Sequence, residues 1–383
     1  MMSRHEGSRA DRRAGAVFSD ETVEPILKPN LPPPIHGRGA SINPANRFEA
    51  LAIEPEAEEQ PGGESPGLTT KFYRDFTRSI IARNDSPDVG FETSINPYRG
   101  CEHGCIYCYA RPSYGYLNLS PGLDFETKLF AKTNAVELLR AELAKPSYRV
   151  SPINLGANTD PYQPIERRYQ ITRRILQVML EHRHPVTVIT KNALVERDLD
   201  LLAALARANL VYTFVSITSL DNKLSAKLEP RASAPHRRIA ALKSLADAGV
   251  PCGVMVAPII PMLTDRWLEE ILERARAAGA AMAGYTILRL PWELKDLVRE
   301  WLELHFPERA EHVLSLVRQM RGGHDNDPRF GSRMRGEGEF AELIRQRFHI
   351  ATRKLGFGRG RDVSLDTTLF SPPRPATPQG ELF

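Results

Sequence analysis

The chain has 383 residues, with 51 Lys and Arg against 47 Asp and Glu, for a formal net charge of +4. That length allows one large α/β domain with appendages or two ordinary domains, and so mild a basic excess neither demands nor excludes a nucleic-acid partner. No run approaches the roughly eighteen consecutive apolar residues of a membrane span, the N-terminus lacks the apolar stretch of a signal peptide, and four cysteines are too few for a disulfide framework.

A cytoplasmic protein without a membrane partner is therefore expected. Residues 1 to 70 hold Leu31-Pro32-Pro33-Pro34, an acidic patch from Glu54 to Glu59 and Pro61-Gly62-Gly63, with no apolar periodicity, and read as a disordered arm. A strand follows near Phe91 to Asn96. Short apolar runs then alternate with amphipathic helical patterns: Ile153–Ala157, Val186–Thr190, Val211–Thr218, Cys252–Ile260 and Tyr285–Leu290 read as buried strands. Helical faces lie between them, such as Ile171, Ile175, Val178 and Met179, or Leu199, Leu202 and Leu205. Strand starts recur roughly every 25 to 40 residues, which fits six βα units and a parallel sheet spanning residues 71–291. Periodicity alone leaves a doubly wound sheet and a partial barrel both open. No G-x-x-x-x-G-K-[ST] or G-x-G-x-x-G follows a strand, so a nucleoside triphosphate or dinucleotide site has no support.

From Pro291 the pattern turns helical, through Leu294, Leu297, Val298 and Trp301, then Val313, Leu314 and Val317, then Phe340, Leu343, Ile344 and Phe348. This predicts a helical extension over 292–362. Between Arg318 and Asp362 eleven basic residues face six acids, with Phe330, Phe348 and Phe357 interleaved. Two readings stand side by side: a nucleic-acid surface, or a solvated charged face beside core aromatics. Residues 363–383 form a Pro-rich tail.

The densest chemistry lies in Arg99-Gly100-Cys101-Glu102-His103-Gly104-Cys105-Ile106-Tyr107-Cys108-Tyr109, a C-x3-C-x2-C loop immediately after the first strand. Glycines let a loop backbone wrap a metal centre, and iron–sulfur cubes usually take four protein thiolates. Three thiolates would leave one iron open. The competing reading is a Cys₃His zinc site using His103 or a more distant histidine.

The loop resembles that of the radical SAM superfamily, whose C-x3-C-x2-C carries an aromatic residue before the last cysteine, as Tyr107 does here. The resemblance covers about Phe91 to Leu290. It implies a partial (βα)6 TIM-type barrel and a [4Fe-4S] cluster on Cys101, Cys105 and Cys108. It further implies S-adenosylmethionine (SAM) chelated at the open iron, its reductive cleavage to a 5′-deoxyadenosyl radical, and an electron donor such as flavodoxin or ferredoxin. It places SAM across the carboxyl ends of the strands, with Tyr107, Asn158, Thr159, Asp160, Lys191, Ser216 and Glu229 as cofactor-binding candidates. Each has a plainer alternative, since Asn158-Thr159-Asp160 also suits a capped βα turn. Arg289, past the last strand, is a candidate for a substrate anion or for pairing with a neighbouring carboxylate.

Within the superfamily the loop, Asn158-Thr159-Asp160, Thr190-Lys191 and Ser216 look most like the spore photoproduct lyase branch, whose members are often labelled DNA-repair photolyases. That lyase returns a hydrogen atom from a cysteine after its second strand, where this chain has Ala157. Cys252, at the start of a strand, reads as a small buried hydrophobe. Tyr107, Tyr109, Tyr114, Tyr116 and Tyr162 are candidate hydrogen donors or stacking platforms. The resemblance names neither the substrate, for which nucleic acid is a candidate, nor the reacting side chain. A reading from another class is a nucleic-acid-binding protein with a structural or redox-sensing iron–sulfur or zinc site.

Overall fold

The structure is a computed structural model that describes residues 32–48, 69–358 and 364–373. Among the described residues ten strands run in chain order: β1 Lys71–Arg74, β2 Ile81–Arg83, β3 Thr93–Ile95, β4 Tyr98–Arg99, β5 Lys128–Ala131, β6 Ile153–Leu155, β7 Val186–Thr190, β8 Val211–Ser216, β9 Cys252–Ile259 and β10 Met282–Ile287. Seven of them form one sheet in the order β10-β9-β8-β7-β6-β3-β2. The six from β3 to β10 are mutually parallel, and β2 closes the far edge antiparallel to β3. The order never reverses, which a doubly wound sheet would require.

Buried strands need apolar residues on both faces, and β6 to β9 supply them with Ile153, Val186, Val188, Val211, Val215, Val254 and Val256, all essentially inaccessible. Helices Ile171–Glu181, Leu199–Arg207, Pro235–Asp247 and Leu268–Ala277 cross between successive strands and pack Ile175, Leu202, Leu242 and Ile271 into the same core. Helix Gly338–Lys354 joins it through Ile344 and Phe348. A second core lies beside the cysteine loop, where Ile106 and Tyr107 cluster with Leu294, Trp301, Val313 and Val317 of helices Leu294–His305 and Ala310–Gln319. The helices past Pro291 therefore complete two cores.

Two expectations are corrected. The last strand starts at Met282, since Gly284 and Ala283 continue the ladder with β9 despite their small side chains. Residues 32–48 are docked, although the whole of 1–70 reads as a disordered arm. The Glu126 carboxylate takes the backbone N–H groups of Gly39 and Ala40 at 3.0 and 2.9 Å, and Ala40 is buried. That contact satisfies polar backbone that a Pro-rich stretch cannot satisfy internally. The acidic patch and residues 1–31 lie outside the described residues, as does the tail beyond 373.

Four short strands lie outside the expected six: β2 at the edge of the large sheet, and β1, β5 and β4, which make a separate three-stranded sheet in the order β1-β5-β4. It pins both flanks of the cysteine loop, since β4 ends at Arg99 and the Cys101 N–H donates to the Phe125 carbonyl at 3.0 Å, just before β5.

Candidate active site at the carboxyl edge of the sheet

The cysteine loop leaves β3 and β4 and lies over the carboxyl ends of the parallel strands, tied to the segment after nearly every one. Behind it, Arg111 is fully buried and donates to the carbonyls of Gly104, Cys105, Pro121 and Gly122, and at 2.5 Å to Glu126. Arg111 thereby ties the loop backbone at Gly104 and Cys105 to the segment before Leu123 and to Glu126. Gln163 bridges two loop residues, accepting from the Glu102 N–H and donating to the Gly100 carbonyl. Gly104 has φ +64°, and a Cβ there would meet Glu126 Oε2 at 2.7 Å, so the loop turns where only glycine fits without strain.

Toward the sheet, the loop is held by a network of buried polar groups. His103 is buried, with Nδ1 3.4 Å from Asp160 Oδ2 and Nε2 3.0 Å from the Asn192 amide, and burial pushes its pKa down. Asp160, after β6, accepts from Thr190 Oγ1 at 2.7 Å and from the Lys191 N–H at 2.7 Å, joining the ends of two strands. Tyr107 donates to Glu229, whose carboxylate also receives Thr218 Oγ1 at 2.5 Å and Arg238. Burial would push the Glu229 carboxyl up, but Arg238, Lys191 and the Thr218 hydroxyl outweigh it and hold it down at about 2. The loop N–H of Ile106 reaches the Leu228 carbonyl at 3.0 Å, and Arg231 bonds Glu102 at 2.9 Å.

Tyr107, Asp160, Lys191, Ser216 and Glu229 are thus gathered around one loop, but not all with free groups. The Thr159 hydroxyl is spent on the Tyr98 carbonyl at 2.9 Å, and the Asp160 and Glu229 carboxylates are filled from within. Asn158 is exposed at the rim, and Ser216 is buried with its carbonyl bonded by Arg238. The Lys191 ammonium lies 5.8 Å from the Tyr107 ring centroid, and among the described residues no carboxylate is within ion-pair distance of it.

Cys101 and Cys105 are buried and Cys108 is half-buried. Burial pushes all three thiols up, Cys105 to about 12, and neighbouring thiols add to the rise at Cys101 and Cys105. Among the described residues no three His, Cys, Asp or Glu side chains converge on a single ion's coordination sphere. Cys252 begins β9, buried, with its thiol toward the Leu242 carbonyl.

At the rim, Tyr109 follows Cys108 directly, is half exposed, and donates to the Ala157 carbonyl. The Arg289 guanidinium lies 5.5 Å from its ring centroid. Among the described residues Arg289 has no carboxylate within ion-pair distance, which corrects the expected pairing. The positioning residues Arg111, Glu126, Gln163, Asn192, Thr218 and Arg238 were missed; only Arg111, three residues past the last cysteine, lay close enough to the motif to draw notice.

Several arginines of the basic extension are already paired with carboxylates. Arg329 pairs with Asp327 and Glu337, Arg345 with Glu342, and Arg347 with Glu269. Phe348 is buried, whereas Phe330 is exposed. Among the described residues no helix is long and apolar enough to cross a membrane.

The family model of the Radical SAM superfamily matches residues 95–275. An uncharacterized protein of Mycobacterium tuberculosis is 38% identical over 231 residues, 60% of this chain and 68% of its own length. One from Methanocaldococcus jannaschii is 31% identical over 231 residues, 60% of this chain and 82% of its own. Among solved structures, spore photoproduct lyase complexed with dinucleoside spore photoproduct aligns with a TM-score of 0.55 at 17% identity, over 75% of this chain and 80% of that one; it shares the fold.

Proposed function

Because the chain belongs to the radical SAM superfamily, we propose that Cys101, Cys105 and Cys108 hold three irons of a [4Fe-4S] cluster whose fourth iron takes SAM. When bound, the cluster supplies the electron that cleaves SAM to a 5′-deoxyadenosyl radical. The observation that carries this reading is the burial of thiols on one loop laid across the carboxyl ends of parallel strands, where ligands of such sheets sit. The donor set fits the group. Thiols pushed up by burial gain from a cationic centre, and thiolates that each bind a different iron need not converge on one ion. A zinc site that uses His103 is disfavoured because both of its ring nitrogens are already engaged.

In this site Asp160 and Glu229 act as posts that hold the loop. The Lys191 ammonium, beside the Tyr107 ring, suits the SAM carboxylate, and Asn158 and Ser216 supply further polar contacts on the same edge. Six parallel strands lie in unbroken order; since crossovers between parallel strands are right-handed as a rule, such an order would put the connecting helices on one face and favours curling into a partial (βα)6 barrel around that edge. A small electron carrier such as flavodoxin or ferredoxin would reduce the cluster, in the cytoplasm. The lyase of the same fold binds a dinucleoside, and a nucleic-acid substrate is proposed here by that likeness. Ala157 carries no thiol, so hydrogen return by a cysteine at that position is not part of the proposal.

The test is anaerobic reconstitution with iron and sulfide, then reductant and SAM, with 5′-deoxyadenosine as the readout. Formation that disappears in Cys105→Ala is expected. An intact cluster that yields none would overturn the enzyme reading in favour of a structural or redox-sensing site.

A further inference from the structure

Arg289, Arg321 and Arg333 lie close together beyond the end of β10, with Arg329 on the adjoining loop, and their partners can be followed one by one. Arg333 donates from Nε to Asp88 Oδ2 at 2.5 Å and also reaches Ser86. Arg329 occupies Asp327 and Glu337. Arg321 is buried and points both terminal nitrogens at carbonyls: Leu288 at 2.8 Å and Ile287 at 3.3 Å on one side, Arg333 at 2.8 Å and Ser332 at 3.2 Å on the other. It thereby staples the segment after β10 to the 332–334 loop, a join repeated by the Ile287 N–H to the Met334 carbonyl at 2.9 Å.

Among the described residues, Arg289 is the one of these four guanidinium groups with neither a carboxylate nor a carbonyl partner. It is half-buried, and its hydrogen bond is to the Met334 thioether at 3.4 Å, a weak acceptor. Burial and the neighbouring Arg333 both work against its charge. A half-buried cation held beside another cation, with no carboxylate of its own, costs stability unless an anion completes it. Its position says where that anion comes from. Arg289 faces the ring of Tyr109, next to the last cysteine, and Tyr116 and Trp292 expose their rings on the same stretches of chain.

We propose that Arg289, backed by Arg333, is the binding site for a phosphoryl group of the substrate, presenting a planar fork to its oxygens while Tyr109 faces the organic part. This rests on the reading of the carboxyl edge as the radical site. Phosphate suits the place because a guanidinium fork grips two of its oxygens at once, and exposed rings beside arginines are the usual platform for bases. Arg321 acts as a positioning residue that sets the spacing of the two forks.

The experiment titrates the reconstituted full chain with a fluorescent single-stranded oligonucleotide, and separately with a nucleoside monophosphate. SAM affinity and the visible absorbance of the cluster are read on the same samples. Arg289→Ala should weaken binding of at least one phosphorylated probe about 10- to 100-fold, the loss expected for a charge-assisted bond, and Arg289→Lys should recover part of it. For the oligonucleotide the slope of log affinity against log salt should fall by about one. Weakening confined to the oligonucleotide identifies a nucleic-acid phosphodiester, and weakening for both identifies a nucleotide-sized substrate. Wild type binding neither probe, or Arg289→Ala binding both unchanged, overturns the site. Loss of SAM affinity alone also overturns it, by assigning Arg289 to SAM. These readouts do not need 5′-deoxyadenosine, so failure of the enzyme reading would be seen separately.

Discussion

A Cβ added to Gly39 would stand 1.8 Å from the Gly104 carbonyl oxygen, so the docked segment and the cysteine loop touch backbone to backbone. Gly39→Ala must push them apart. A loss of about 1–3 kcal/mol, the usual cost of overpacking, is expected in denaturant unfolding, with faster proteolysis within 32–48. Arg111 is a stronger case, because Arg111→Met leaves the buried Glu126 carboxylate without its cation. The expected loss is about 3–5 kcal/mol, and Arg111→Met combined with Glu126→Gln should recover part of it. Equal stability of single and double variants would refute the pairing as a stabilising unit. Neither residue announced itself in sequence. The C-x3-C-x2-C spacing is local and was legible at once, whereas Arg111 and Glu126 matter through backbone groups they meet only after folding.

Helix Leu294–His305 carries a charge where its partners are apolar. Glu300 is buried beside the second core, one carboxylate oxygen lacks a hydrogen-bond partner, and burial reinforced by Glu303 pushes its pKa up to about 7. The folded chain therefore holds the proton more tightly than the unfolded chain. Its contribution to stability is present below the ordinary carboxylate range and lost as pH rises from about 4.5 to 7. Glu300→Gln should raise stability at pH 8 by about 1–2 kcal/mol and flatten the profile in that window; an unchanged profile would remove the burial argument. At this scale the parallel strands were readable because strands buried on both faces are apolar runs. The three strands of the small sheet were not. They have two to four residues each, and β1 pairs with β5 more than fifty positions away, so no local pattern marks them.

Charge across the whole molecule behaves differently from its count. The excess of arginine between 318 and 362 suggests a phosphate-binding face, yet Arg318, Arg329, Arg333, Arg345 and Arg347 already meet carboxylates, from inside and outside that region. Arg345→Ala, which removes only an exposed pair with Glu342, should leave oligonucleotide affinity within about twofold, in contrast to Arg289→Ala. A large loss from Arg345→Ala would restore the broad basic face. The carboxyl edge was legible as a region from successive strand ends; which groups there stay free was not, because Asp160 and Glu229 look like ligands until their partners are known.

The unbroken order of the parallel strands also bears on how the chain is made. Each strand from β6 onward pairs with the parallel strand synthesised just before it, so the large sheet can grow at one edge as the polypeptide leaves the ribosome. The cysteine loop and β5 emerge ahead of β6, but the posts Asp160, Asn192 and Glu229 follow much later, and Arg289 and the helices past Pro291 come last. The loop is thus born before its supports, and its thiols are most open to solvent before Ile106 and Tyr107 are covered by the final helices.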